Sequence, residues 1–347
     1  MTDLQSWTGA AYHLDRPQDG LDGLAVREQQ LAAPGPHEVL IRVRAASLNR
    51  RDLMLLAGSY PIPAPPGLVP LSDGAGEVVA VGSGVRRAEV GDRVAVTYFR
   101  RWIDGPMTLP LVGEQYGASL NGMLAEYQVV DEESVVHIPA HLSYEEAATL
   151  PCAGVTAWSG LTTGPRPMVE GDTVLVVGAG AVALFGVQFA AALGGRVMVV
   201  AAGEERGKRL KELGAAEVLD RLVTPDWQLA VGELTAGRGA DLVLEAVGAP
   251  SIAKSIQSVG FNGQISVTGA FPAGGTLIDP DVFNGRYFSL QRLAVGTRSS
   301  FERLNATLAE HALHPVVDRV FTFDEAIEAY EYFSSGGSFG KVVISIP

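Results

Sequence analysis

Residues 38–46 (EVLIRVRAA) alternate apolar and polar side chains, the period of a strand with one buried face. Residues 76–82 (GEVVAVG), 92–98 (DRVAVTY) and 122–130 (GMLAEYQVV) are similar short runs, each opened by Gly or Asp. Short strands with turn residues between them predict a β-rich first domain. Residues 61–70 (PIPAPPGLVP) hold five prolines, which fix φ and remove hydrogen-bond donors, so a stiff, irregular loop is expected there.

The pattern changes after Ser143. Residues 144–161 read as a helix with Ser143 at its N-cap and Glu145 and Glu146 in the first turn. Apolar runs then alternate with helical periods. Residues 173–177 precede a helix reaching Leu193, and 197–200 precede a charged helix over 204–213. Residues 218–219 precede a helix near 227–234, 242–244 precede one over 250–259, and 264–267 form the last strand of the series. Such alternation predicts a parallel sheet covered on both faces. Two amphipathic helices, 301–312 and 324–333, lead to a terminal strand at 340–346 (GKVVISI). That strand is expected back in the first domain, because a lone strand needs a sheet to join. The expected fold class is α/β, with a β-rich domain from residues 1–150 and 290–347 and a doubly wound parallel-sheet domain from 151–289.

Composition narrows the partners. A chain of 347 residues is long enough for two cores. Lys and Arg total 26 against 39 Asp and Glu, a net charge of −13. Without a cationic field, nucleic acid and anionic membrane surfaces are poor partners. No apolar stretch approaches the roughly 20 residues a bilayer span needs. The single cysteine, Cys152, excludes an intramolecular disulfide and a cysteine-built structural zinc site. Residues 1–15 lack a basic patch followed by an apolar core, so a cytoplasmic protein is expected.

The clearest chemistry follows the strand at 173–177. It runs into GAGAVA, with Gly178, Gly180 and Ala183 at the positions of a dinucleotide-binding turn. Gly178 permits the tight turn, Gly180 lets the backbone approach a pyrophosphate, and Ala183 is small enough for helix–strand packing. Ala181 and Val182 then open a helix whose N–H donors meet phosphates. A tight turn with no ligand is the alternative. The second strand ends at Ala201 with no acid to hold a ribose 2′-hydroxyl, while Arg206 and Lys208 follow on the next helix. NADPH is therefore expected, with NADH possible; against this, both cations also fit as solvated charges offset by Glu204 and Glu205.

Four landmarks, residues 47–52 (SLNRRD), 72–82 (SDGAGEVVAVG), 90–94 (VGDRV) and 147–158 (AATLPCAGVTAW), together resemble the medium-chain dehydrogenase/reductase superfamily along nearly the whole chain. The resemblance implies a GroES-like catalytic domain joined to a Rossmann domain. In zinc-dependent members the first metal ligand falls at Asn49, the His–Glu pair at Ser72 and Asp73, and a ligand cysteine at Cys152. Zinc asks for three ligands of Cys, His or carboxylate type, so no metal site is expected, and Cys152 reads as a small packed residue. The pattern thus resembles the zinc-independent branch, with its zeta-crystallin-type quinone oxidoreductases and 2-enoyl thioester reductases. Those enzymes move a hydride from NADPH to a quinone or activated double bond. The resemblance also implies Thr156 beside the nicotinamide, Val247 and Gly248 after the fourth strand, and Thr268, Gly269 and Ala270 after the fifth, with Lys341 near them. It further implies a homodimer joined at a sheet edge, for which 264–270 and 290–296 are the candidate runs.

Hydride addition to an enone builds an enolate oxygen, which needs a donor. Asn49 offers an amide N–H and Tyr60 a phenol. By the resemblance, Tyr60 falls where enoyl reductases carry a proton-donating tyrosine; packing over the proline-rich loop is the other reading. Arg50 and Arg51 read as a surface pair, or as one cation for an anionic substrate. Trp102 reads as a wall of the site or as packing. The expectation is an NADPH-dependent, zinc-independent oxidoreductase acting on a small molecule. The alternatives are a zinc-free alcohol dehydrogenase or carbonyl reductase and a non-catalytic NADPH sensor.

Overall fold

The computed structural model describes residues 6–270 and 278–347, so the first five residues of the N-terminal stretch lie outside it. The chain divides into two compact units, Met1–Val155 with Thr297–Pro347 and Thr156–Gly296. The described residues form fifteen strands: β1 (Trp7–Leu14), β2 (Leu24–Leu31), β3 (Glu38–Ser47), β4 (Asp73–Val81), β5 (Arg93–Val96), β6 (Tyr127–Asp131), β7 (Val135–His137), β8 (Thr173–Val177), β9 (Arg196–Ala201), β10 (Glu217–Asp220), β11 (Ala240–Glu245), β12 (Val259–Val267), β13 (Ser289–Arg292), β14 (Val317–Thr322) and β15 (Lys341–Ser345).

In the first unit β3 is the hub. Val39, Ile41 and Val43 are buried with Val78, Val94, Val96, Met123, Val342 and Ile344, while Arg42 and Arg44 stay partly exposed. Each fully buried aliphatic side chain contributes roughly 1.5–3 kcal/mol. The sheet runs β14-β15-β3-β4-β5-β7, with β6 also pairing with β3. The terminal strand β15 lies antiparallel on β3 with Val343 opposite Ser47, and on its other side β4 sets Asp73 opposite Ser47. Continuing the first register brings Lys341 beside Asn49. One strand end therefore gathers three distant segments. The hairpin β1–β2 is an element that the alternation test missed, because TGAAYH in β1 has no clean apolar face.

The second unit is a six-stranded parallel sheet in the order β10-β9-β8-β11-β12-β13, which in its own numbering is the 3-2-1-4-5-6 of a Rossmann fold. Every residue of β8 is buried, as a strand covered on both faces requires. This unit runs to Gly296 rather than 289, because β13 adds to the sheet beside β12. For the same reason 264–267 is an interior strand and β13 is the edge. The helix expected over 144–161 is broken. Tyr144–Ala147 is capped as expected, Glu146 N–H donating to Ser143 Oγ at 3.1 Å. A wide turn at Leu150–Gly154 follows, and then the helix Val155–Thr162. Pro151 lacks the N–H an uninterrupted helix would use there. No helix among the described residues is long and apolar enough to cross a membrane.

Candidate active site

The dinucleotide turn has the shape its glycines imply. Gly178 adopts φ 118°, where a side chain is strained, and a Cβ there would lie 3.1 Å from Val247 Cγ2. Gly180 is exposed, and a Cβ placed on it would meet no atom within 4 Å, so its backbone faces open space. It caps the helix Ala181–Ala192, whose first-turn N–H groups are thereby presented to a ligand. Ala183 is fully buried beneath the turn.

The ends of β11 and β12 meet beside it. Gly248 bridges to Ala270, and a Cβ on Gly269 would strike Gly248 N at 2.2 Å. Thr268 is half-buried, while Val247 and Ala270 are exposed. Glu245, fully buried, holds this loop: its Oε1 accepts from Val247 N–H at 2.9 Å, Gly248 N–H at 2.8 Å and Ser251 Oγ at 2.8 Å, and its Oε2 from Ser255. Sequence reasoning passed over Glu245. Its signal was an acid ending an otherwise apolar run, LVLE.

Ala201 ends β9 as expected and is buried. The neighbouring strand ends in Asp220, whose Oδ2 accepts from Gly203 N–H at 3.2 Å and whose Oδ1 accepts from Leu222 N–H at 2.9 Å. Arg206 lies half-buried in the helix Glu204–Glu212, and Lys208 pairs with Glu204 at 3.0 Å. Thr156 is buried near the start of the helix Val155–Thr162. The open glycine backbone, capped helix and exposed Val247 fit a dinucleotide.

In the first unit, Asn49 precedes the helix Arg50–Leu56 and is 7% exposed. Lys341 is 2% exposed, with its ammonium turned onto this helix start. Its Nζ donates to Leu48 O and to Asn49 Oδ1, each at 2.6 Å, and lies 3.5 Å from Asp73 Oδ2. Ser72 Oγ donates to Asp73 Oδ1 at 2.9 Å. Asn49 Nδ2 is buried with no partner among the described residues. Burial above all, with Asp73 adding to it, pushes the Cys152 thiol up, so it stays protonated.

These residues do not fit zinc. The Asn49 oxygen and the Asp73 carboxylate already face an ammonium, and Asn49 and Ser72 are not ligands of Cys, His or carboxylate type. Among the described residues, no three His, Cys, Asp or Glu are grouped to hold a metal ion.

A second cluster adjoins the helix. Tyr60 Oη donates to Gln115 Oε1 at 2.6 Å and lies 2.7 Å from Tyr98 Oη. Gln115 Nε2 donates to Val112 O at 2.8 Å, which fixes the amide oxygen toward the tyrosines. Arg51 is no surface residue: at 7% exposure it donates to Tyr116 O and Gly117 O, and its guanidinium lies 5.0 Å from the Tyr60 ring centre and 4.7 Å from that of Tyr98. Arg50 is exposed. Trp102 packs edge-on against Phe99 and donates to Gly105 O. Tyr98 and Gln115 were not legible as site residues, because nothing local marks them.

A Rossmann sheet with this turn, in one chain with a GroES-like unit, defines a nicotinamide-dependent oxidoreductase. The family model for the alcohol dehydrogenase GroES-like domain matches residues 35–140, and that for zinc-binding dehydrogenases matches 181–310. A zinc-type alcohol dehydrogenase-like protein of Schizosaccharomyces pombe is 38% identical over 94% of this chain and 96% of its own. A quinone oxidoreductase of Pseudomonas aeruginosa is 35% identical over 69% of this chain and 67% of its own. An acryloyl-coenzyme A reductase of Metallosphaera sedula is 30% identical over 93% and 96% respectively. A solved NAD-dependent alcohol dehydrogenase superposes with a TM-score of 0.88 at 31% identity, covering 97% of this chain and 100% of that one. The chain belongs to the medium-chain dehydrogenase/reductase superfamily and is an NAD(P)-dependent oxidoreductase.

Proposed function

We propose that this chain is a zinc-independent, NADPH-dependent reductase of a quinone or an activated carbon–carbon double bond, acting on a small molecule in the cytoplasm as a homodimer. One observation carries the reading: Asn49 Nδ2 is a buried donor with no partner among the described residues, while its own oxygen is held by Lys341. An unsatisfied buried donor costs about 1–3 kcal/mol, which a substrate oxygen at that nitrogen would remove.

When bound, the nicotinamide supplies the hydride. On this reading Gly178, Gly180, Ala181 and Val182 hold the pyrophosphate, and Ala201 and Arg206 the adenosine end. Thr156, Val247, Gly248, Thr268, Gly269 and Ala270 border the nicotinamide. Asn49 donates to the oxygen that gains charge, and Tyr60 returns a proton, its phenol being backed by Tyr98 and Gln115. An unactivated ketone asks for strong help at its oxygen, whereas an enone or quinone spreads the charge and is served by amide and phenol donors. The relatives named quinone oxidoreductase and acryloyl-coenzyme A reductase support this class. Among the described residues β13 ends the sheet with no strand beyond it, and this edge, with Leu290 half-exposed, supports edge-to-edge pairing of two copies.

The test is turnover of NADPH, followed at the nicotinamide band, against enones, quinones, aldehydes and simple alcohols. Reduction of enones or quinones is expected. Turnover confined to alcohols and aldehydes would establish the carbonyl-reductase alternative instead.

A further inference from the structure

We propose that Lys341 is a positioning residue for the reduction, orienting and polarising the Asn49 amide and cancelling the charge of Asp73. The proposal rests on the reading of Asn49 as the donor to the substrate oxygen.

Three observations meet in it. Lys341 is an ammonium with donors only, so the amide atom 2.6 Å from it must be the oxygen. That contact turns Asn49 Nδ2 away from the ammonium, and Nδ2 is the atom left buried without a partner among the described residues. A cation on an amide oxygen draws density from the whole group and strengthens its N–H as a donor, the more so where water is excluded. The second effect is electrostatic. Asp73 is fully buried, and with no cation beside it would oppose any negative charge growing nearby; Lys341 Nζ lies 3.5 Å away. The ammonium thus stands among Asn49, Asp73 and Cys152, the positions at which the resemblance puts metal ligands in zinc-dependent members. It supplies there one positive charge that β15 carries in by its register on β3. Lys341 does this without touching the substrate.

The experiment is a double-mutant cycle of Lys341→Met and Asn49→Ala, read as kcat at saturating NADPH over a series of aryl enones of graded electron withdrawal. Lys341→Met is expected to lower kcat by ~10–100-fold, less than or equal to the loss of the donor itself. The NADPH dissociation constant should stay within about twofold, and the dependence of log kcat on electron withdrawal should steepen. In the Asn49→Ala background the same change should cost clearly less, the remainder being the uncompensated charge of Asp73, and adding Asp73→Asn should remove that remainder. Lys341→Arg should restore part of the rate. Losses that multiply independently, or an equal slowing of every enone with no change of slope, would overturn the proposal. Should Lys341→Met alone not fold, the charge-neutral pair Lys341→Met with Asp73→Asn carries the same cycle. Failure of the wild type on all enones overturns the proposed function alone. The cycle is then run on the carbonyl substrate it does reduce, where coupling is still required.

Discussion

The backbone N–H of Gly248 donates to Glu245 Oε1 at 2.8 Å, tying the loop after β11 to a fully buried carboxylate. Val247 N–H and the hydroxyls of Ser251 and Ser255 complete the set, so four donors converge on one side chain. Glu245→Ala orphans all of them, at about 1–3 kcal/mol each where they stay buried. A loss of several kcal/mol in urea denaturation is expected. Weaker NADPH binding in a fluorescence titration should accompany it, since the loop carries proposed nicotinamide contacts. Glu245→Gln keeps one acceptor oxygen and should fall between.

Cofactor choice turns on the end of β9. With Ala201 where an acid would hold a ribose hydroxyl, NADPH is expected to bind at least tenfold more tightly than NADH. Charge-assisted hydrogen bonds to a 2′-phosphate are worth about 1.5–3 kcal/mol each. Arg206→Ala should narrow that gap. Asp220, seated against Gly203 N–H, adds negative charge at this loop, so Asp220→Asn should widen it. Equal dissociation constants for the two cofactors by calorimetry would refute the assignment.

Metal dependence follows from the lysine. A divalent ion at Asn49 and Asp73 would have to displace a buried ammonium and take an amide oxygen as ligand. Activity should therefore survive dialysis against a chelator, and elemental analysis should find no stoichiometric zinc.

Asp52 sets a pH dependence of stability. Burial raises its carboxyl from 3.8 to about 6, outweighing the opposing effects of Arg51 and the Asn49 N–H. The folded state then holds this proton more tightly than the unfolded one. Its contribution is full below about pH 4, falls as pH rises to about 6, and is constant above. Asp52→Asn keeps an acceptor for Asn49 N–H and removes the titration. Relative to wild type, it should gain up to about 3 kcal/mol between pH 4 and pH 7 in urea midpoints.

Much of this was legible from local pattern. The Rossmann series stands out because each buried parallel strand is a continuous apolar run and each helix is periodic. The turn at Gly178 and Gly180 is legible because only glycine suits that backbone. What escaped was set by register. Lys341 reaches Asn49 only because β15 pairs with β3 at Ser47, and no local feature of GKVVISI states that pairing. Likewise Arg51 looked like a surface charge because its acceptors, the carbonyls of Tyr116 and Gly117, lie far along the chain. The break at Pro151 was readable, since proline lacks the donor a helix needs.

Tyr60 offers the sharpest division between chemistry and packing. Its phenol donates to Gln115 Oε1 at 2.6 Å and touches Tyr98 Oη at 2.7 Å, while Arg51 lies over both rings. Tyr98 is placed to support charge at the Tyr60 oxygen through its own hydroxyl. Burial keeps the Tyr98 hydroxyl well above the usual tyrosine range, so Tyr98 retains its proton and serves as a hydrogen-bond donor. Tyr60→Phe is therefore expected to lower kcat by ~10²–10⁴ with little change in NADPH affinity, the signature of a group used in the transition state. Tyr98→Phe removes only the support and should cost less. Asn49→Ala should lower kcat by roughly 10²–10³, the usual worth of one oxyanion donor. Stopped-flow traces of single-turnover NADPH oxidation check all three, because they isolate the chemical step from product release. If Tyr60→Phe leaves that step at the wild-type rate, the phenol is packing for the loop at residues 61–70, and the proton comes from elsewhere.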